Sequence, residues 1–241
     1  MAELRFRRVT KAFDEDAGLF DFSVQVEQGQ AFGLLGPGGA GKSTALSLLM
    51  GFIRPDDGEV SIRGMDCFTQ RHVLMQYVGY VPRDARLPAR TTGDQFIRLL
   101  SAARGDTWRK RMQKLMERLD LNPLGDWAYM APDDRRKVVL LLGFLNDPKI
   151  LLLDEPCAGL DPNARNAVID LIEEERQAGK TIFMTSHVFE EVQRCCDRVG
   201  IIRGGRLVTV QPARALTYTR QKVYHITFED ISQAAAFAQE W

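Results

Sequence analysis

The sequence has no excess charge of either sign: lysine plus arginine and aspartate plus glutamate each total 32 among 241 residues. No net field therefore draws the chain to nucleic acid, to an anionic membrane surface or to a polycation, and any partner has to be found through local surface. Long apolar runs are missing as well. Runs such as Val138 to Leu145 fall far short of a membrane span, and the basic start MAELRFRRVTKAF has no apolar stretch behind it. A cytosolic chain is expected, unless a partner tethers it. Cysteine is scarce: Cys67, Cys157, Cys195 and Cys196 form no C-x-x-C pair and have no matching histidine cluster. Adjacent Cys195 and Cys196 make poor zinc ligands, so reduced thiols are expected. Internal repeats and low-complexity tracts are also absent.

What is there is enough for a sizeable core, since 45% of the residues are hydrophobic. Residues 3 to 10 and 20 to 26 alternate in apolarity, with Phe20, Phe22, Val24 and Val26 expected on one face of a half-buried antiparallel strand. Ala31 to Leu35 is a short apolar run that ends in a glycine-rich turn, and helix-forming residues resume from Lys42 to Met50. From Asp84 to about Leu145 the character is helical. Trp108, Met112, Leu115, Met116 and Leu119 recur at helical spacing, which reads as the buried side of a helix and not as a cofactor box. A second α/β stretch follows, with strands at Ile150 to Leu153 and Thr181 to Met184, a helix from Asn163 to Ala178 between them, and Gly179 to stop it. Strands separated by helices imply a largely parallel sheet. The tail offers a strand with Tyr224, Ile226 and Phe228 on one face, then a short helix from Ile231.

Chemistry enters at residues 36 to 44, GPGGAGKST. They match the phosphate-binding pattern G-x-x-x-x-G-K-S through Gly36, Gly41, Lys42 and Ser43, between an expected strand and an expected helix. Glycines let successive backbone N–H groups turn toward phosphates, and the helix N-terminus adds the positive end of its dipole. Lys42 is expected to reach the β and γ phosphates and Ser43 to place its hydroxyl on Mg²⁺. A carboxylate should then lie downstream, and ILLLDEP supplies two at the carboxyl end of an apolar strand. Asp154 is the expected magnesium ligand, directly or through water. Glu155 is the candidate general base for an attacking water.

In the order of these motifs the chain resembles the nucleotide-binding subunits of ABC transporters, from residue 4 to about 216. The resemblance implies an α/β P-loop NTPase fold: a mostly parallel sheet core, an antiparallel β subdomain and an inserted helical subdomain. Residues 1–84 and 146–218 would form the core, 85–145 the helical subdomain and 219–241 a short appendage. GPGGAGKST is similar to the family's GPNGAGKST, with Gly38 in place of asparagine, and Pro37, Gly39, Ala40 and Thr44 complete the nucleotide-binding loop. Phe13, in KAF, stands where the family stacks an aromatic on adenine. Asp161, in AGLDP, stands in the D-loop, and His187, in TSH, at the switch histidine near the γ-phosphate. The cofactors implied are ATP and Mg²⁺. The partners implied are a transmembrane permease, most like the ABC-2 type, and a second ATP-binding subunit, at the inner face of the cell membrane.

Two departures stand out. VGYVPR is similar to the family's VGYxPQ, and Arg83 replaces its glutamine. Arginine has donors only and a permanent charge, so it cannot ligate Mg²⁺ but can contact phosphate oxygens. Altered coupling or slower turnover is expected. The signature that should read LSGGQ or LSGGM aligns instead with Met130, Ala131, Pro132, Asp133 and Asp134. Proline offers no N–H, alanine no hydroxyl, and the aspartates bring negative charge toward a triphosphate held by the opposite subunit. As a helix start, however, A-P-D-D-R-R-K is sound. The expectation is an ATPase with a competent cis half that narrowly favours a heterodimer, in which another chain supplies the intact signature, over a homodimer. The competing expectation is an ATP-gated assembly module with little turnover.

Overall fold

The computed structural model of the protein describes residues 2–84, 92–95, 98, 108–122 and 127–219. Alternation in the first thirty residues does produce paired strands: β1 (Ala2–Ala12) and β2 (Gly18–Glu27) run antiparallel, and β4 (Asp57–Ile62) and β5 (Met65–Asp66) extend them to a sheet of order β2-β1-β4-β5. Phe20 is the exception to its expected face. Arg8 and Asp21 both adopt φ of 48°, and the β1–β2 register shifts on either side of them. These bulges flip the pleat, so Leu19 joins Phe22, Val24 and Val26 in the core. Phe20 instead lies beneath the Arg206 guanidinium, 5.5 Å from the ring centroid.

The second sheet has the order β10-β9-β3-β8-β7-β6. Its strands are β3 (Ala31–Leu35), β6 (Val78–Val81), β7 (Ile150–Asp154), β8 (Thr181–Ser186), β9 (Arg198–Arg203) and β10 (Arg206–Pro212). β6, β7, β8, β3 and β9 are parallel along the sheet, and β10 closes one edge antiparallel. Every residue of β7 and β8 is buried, as in a parallel sheet covered on both faces. On one face Ile150, Leu152 and Phe183 pack with Phe6, Phe22 and the helix α1 (Lys42–Leu49). Phe6 and Phe22 meet edge to face at 5.1 Å, a geometry worth about 0.5–1.5 kcal/mol beyond area burial.

The opposite face is covered by α4 (Pro132–Leu145), α5 (Pro162–Gln177) and α6 (Phe189–Cys195), which bury Phe144, Val168, Ile172 and Val192 against Leu151, Leu153 and Met184. The short α2 (Arg71–Leu74) precedes β6, and α3 (Trp108–Leu119) lays Leu115 and Leu119 onto the same core. α4 begins with Pro132 at its first position and Asp133 and Asp134 in its first turn. That start suits the proline ring and the helix dipole. α5 stops where expected, at Gly179 with φ of 81°. The four cysteines are free thiols and all buried. The strand at Tyr224, Ile226 and Phe228, the helix from Ile231 and much of 85–107 lie outside the described residues, as does most of the 219–241 appendage.

Candidate functional site

The carboxyl ends of β3, β7 and β8 converge, and the turns that leave them carry the candidate residues. After β3 the chain runs through Gly36, Pro37, Gly38, Gly39, Ala40 and Gly41 into α1. Gly36 donates its N–H to the Ser186 carbonyl at the end of β8 (3.2 Å). Gly41 has φ of 98°, and a Cβ there would sit 2.5 Å from the Gly18 carbonyl oxygen. Only glycine fits this turn. Pro37, Gly38 and Gly39 are exposed, and Gly38 has no atom within 4 Å of where a Cβ would stand. Ser43 is exposed in the first turn of α1 and Thr44 is half-buried behind it.

Lys42 opens the helix with its side chain only 4% exposed. Its ammonium donates to the carbonyls of Gly36 and Pro37, both at 2.8 Å, and stands 3.2 Å from Glu155 Oε1. Arg83 reaches the same oxygen at 3.7 Å, and His187 Nδ1 lies 3.2 Å from Oε2. Burial pushes the Glu155 carboxyl up, but Lys42, Arg83 and His187 together outweigh it and hold it below the ordinary 4.5. Glu155 is therefore a carboxylate at neutral pH, flanked by the cations of Lys42 and Arg83.

Glu155 also has φ of 44°, in the left-handed region where a residue other than glycine costs about 1–2 kcal/mol. The turn is held from two sides. Its N–H reaches Thr185 through both the carbonyl (3.2 Å) and the hydroxyl (3.1 Å), and its carbonyl accepts from Arg136 at 2.8 Å. Asp154, 3% exposed, accepts from the Thr185 hydroxyl at 2.6 Å. Among the described residues no three His, Cys, Asp or Glu side chains gather into a metal cage. Mg²⁺ takes most of its oxygen ligands from substrate phosphates and water, so a set of Ser43 and Asp154 fits its chemistry.

The remaining candidates fall into two places. Phe13 is 62% exposed, with the Lys11 ammonium 5.9 Å from its ring. Asp161 and the first turn of α4 meet each other. Asp161 caps α5 by accepting from Asn163 and Ala164, and its own N–H reaches Asp133 Oδ1 at 3.3 Å. Lys137 holds Asp133 at 2.8 Å. Ala131 makes no side-chain cap and Pro132 and Asp134 continue the first turn.

Sequence reasoning missed three residues. Thr185 joins Asp154 to Glu155, Glu191 accepts from the Ser186 hydroxyl at 2.6 Å beside His187, and Arg136 is a buried guanidinium between the strand ends. For Arg136 a signal existed: the run RRKVVLLLG is too apolar for every basic residue at its head to reach water, though the spacing did not say which one turns inward.

A family model described as ABC transporter matches residues 19–158, and one described as AAA domain, putative AbiEii toxin, type IV TA system, matches residues 136–188. The Nod factor export ATP-binding protein I of Rhizobium etli is 33% identical over 213 residues, covering 86% of this chain and 67% of that protein. An uncharacterized ABC transporter ATP-binding protein of Nostoc is 37% identical over 211 residues, 85% of this chain and 62% of that protein. The chain thus spans about two thirds of the length of these relatives. A solved ATP-binding subunit of an ABC transporter superposes with a TM-score of 0.80 at 25% identity, covering 91% of this chain and 95% of the other. A match over more than half of the residues, in a fold that places the phosphate loop beside the strand-terminal Asp154 and Glu155, makes this chain a member of the ABC transporter family, as an ATP-binding domain.

Proposed function

We propose that the chain binds Mg-ATP and hydrolyses it to ADP and phosphate, closing face to face on a second ATP-binding subunit to drive a separate transmembrane permease. The observation that carries this reading is the convergence of Lys42, Glu155 and His187 at the carboxyl ends of three parallel strands. Triphosphate oxygens would take Lys42 from Glu155, and the exposed loop N–H groups would complete the phosphate cradle. Glu155, released from that ion pair, would orient a water and accept its proton as the water oxygen bonds to the γ-phosphorus and the bond to ADP breaks. Ser43 and Asp154 would hold Mg²⁺, which supplies charge neutralisation on the phosphates. Phe13 would stack on adenine.

At residues 130–134 Pro132 offers no N–H, Ala131 no hydroxyl, and two aspartates add charge that would repel a partner's γ-phosphate, while the cis half keeps its candidate residues. We therefore favour a heterodimer in which the other chain supplies the signature, with one active and one degenerate site. Residues 85–145, as a helical subdomain, would receive a cytoplasmic helix of the permease, and the chain would then sit at the inner face of the membrane. Among the described residues no helix is long and apolar enough to cross it. The export named for the Rhizobium relative supports an ABC-2 type exporter. A second reading, an ATP-gated module with little turnover, draws on the Arg83–Glu155 approach of 3.7 Å. Titration with Mg-ATP and measurement of phosphate release separate them. Binding with Glu155-dependent release supports the transport ATPase, binding without release in the assembled complex supports the module, and no binding sinks both.

A further inference from the structure

Arg136 has not been given a role by any motif, yet it is 7% exposed and every N–H of its guanidinium is used. Nε donates to the Pro156 carbonyl at 3.2 Å. Nη2 donates to Asp154 at 3.1 Å and Glu155 at 2.8 Å. Nη1 donates to Arg83 at 3.0 Å and to Pro82. Three consecutive carbonyls around the left-handed turn at Glu155 and two from the segment bearing Arg83 are thus held in one rigid plane. An ammonium has a single centre and three hydrogens, and cannot bridge two segments in this way.

We propose that Arg136 is a positioning residue for hydrolysis: its guanidinium joins the backbone at Glu155 to the backbone at Arg83 and ties both to the helix that begins at the degenerate signature. Three residues earlier on the same helix, Asp133 accepts from the N–H of Asp161. One helical turn therefore contacts the D-loop position at its start and the candidate base at its end. Displacement of α4 by a partner reaches Glu155 through Arg136 even though Pro132, Asp133 and Asp134 suit a nucleotide phosphate poorly. This inference rests on Glu155 acting as the base.

The test uses the full chain in single-turnover hydrolysis, with protein in excess over labelled Mg-ATP so that a slow basal rate is readable, alongside nucleotide binding and thermal unfolding. Arg136→Lys keeps the charge and loses the fork. The expected result is ATP affinity within about threefold of the parent and a hydrolysis rate at least tenfold lower. An unchanged rate in a folded variant overturns the inference, and so does a parallel fall in rate and affinity, which a purely structural staple would give. Should Arg136→Lys fail to fold, nitrogen-15 spectra of the parent decide. The Arg136 guanidinium signals must shift when a non-hydrolysable ATP analogue binds, and signals that stay fixed overturn the inference. A parent chain that neither binds nor hydrolyses ATP overturns the proposed function itself, a result distinct from either.

Discussion

Lys42 and Glu155 face each other across 3.2 Å with side chains 4% and 5% exposed, so the phosphate-loop lysine and the candidate base neutralise one another. Taking the carboxylate away frees the lysine for phosphate. Glu155→Gln should therefore bind ATP at least as tightly as the parent while turnover falls by about 10²-fold or more, the usual contribution of a positioned base. Calorimetric titration together with phosphate release checks both halves. Binding weakened tenfold would show that the carboxylate supports the nucleotide instead of competing for Lys42.

Arg83 acts on the same carboxylate from 3.7 Å. Burial raises the Glu155 pKa, while Lys42, Arg83 and His187 lower it, and the net position is below 4.5. Deleting one cation must move it upward, so Arg83→Gln should shift the acid limb of kcat/KM, which reports the free enzyme, to higher pH. The linkage has the matching sign. A depressed carboxyl stabilises the fold above its unfolded pKa and loses that contribution as pH falls through the folded value. Arg83→Gln should begin to lose stability at a higher pH than the parent during acid titration. Superimposable acid limbs would place Arg83 outside the electrostatics of the site.

The phosphate loop contains glycines of opposite kinds. Gly41 combines φ of 98° with a Cβ position 2.5 Å from a carbonyl oxygen, whereas Gly38 has open space. Gly41→Ala should cost at least about 1 kcal/mol in urea unfolding and abolish ATP binding. Gly38→Asn, which installs the residue found in the related motif, should stay within about 0.5 kcal/mol of the parent and keep ATP binding. Equal losses in the two variants would mean that the loop is not built as described.

Burial raises the thiols of Cys67 and Cys195 to about 12 and pushes Cys157 and Cys196 up as well. The fold thus favours neutral thiols. Their contribution is complete below the ordinary value of 9.0 and is lost as pH rises from there toward 12. The melting temperature should fall over that window, and a thiol reagent at pH 8 should label the native chain far more slowly than the urea-unfolded one. Native labelling at the unfolded rate would contradict the buried placement.

Much of this was legible in the sequence because it is written in local pattern. The glycine spacing at 36–41 marks a tight strand-to-helix turn, the apolar run before Asp154 marks a covered parallel strand, and Gly179 marks a helix end. Phe20 defeated the alternation because bulges at Arg8 and Asp21 shift the pleat by one residue, and a bulge leaves no signal in a two-residue period. Which basic residue of RRK turns inward was hidden for a different reason, and it is Arg136. Its partners are backbone carbonyls 18 to 54 residues away, and carbonyls carry no sequence identity. Thr185 likewise gained its contacts only when β8 was laid beside β7.

The proposed need for a different partner is tested most directly by the rate of Mg-ATP hydrolysis by the purified chain as its own concentration is raised, with Glu155→Gln as the control. Ala131 offers no hydroxyl, Pro132 no N–H, and Asp133 and Asp134 bring negative charge toward a partner's phosphate, so the chain alone should bind ATP while its Glu155-dependent rate per molecule stays low and flat with concentration. A rate per molecule that climbs with concentration would show that two copies complete each other's sites, and that Pro132 and Asp133 do not cripple the trans half.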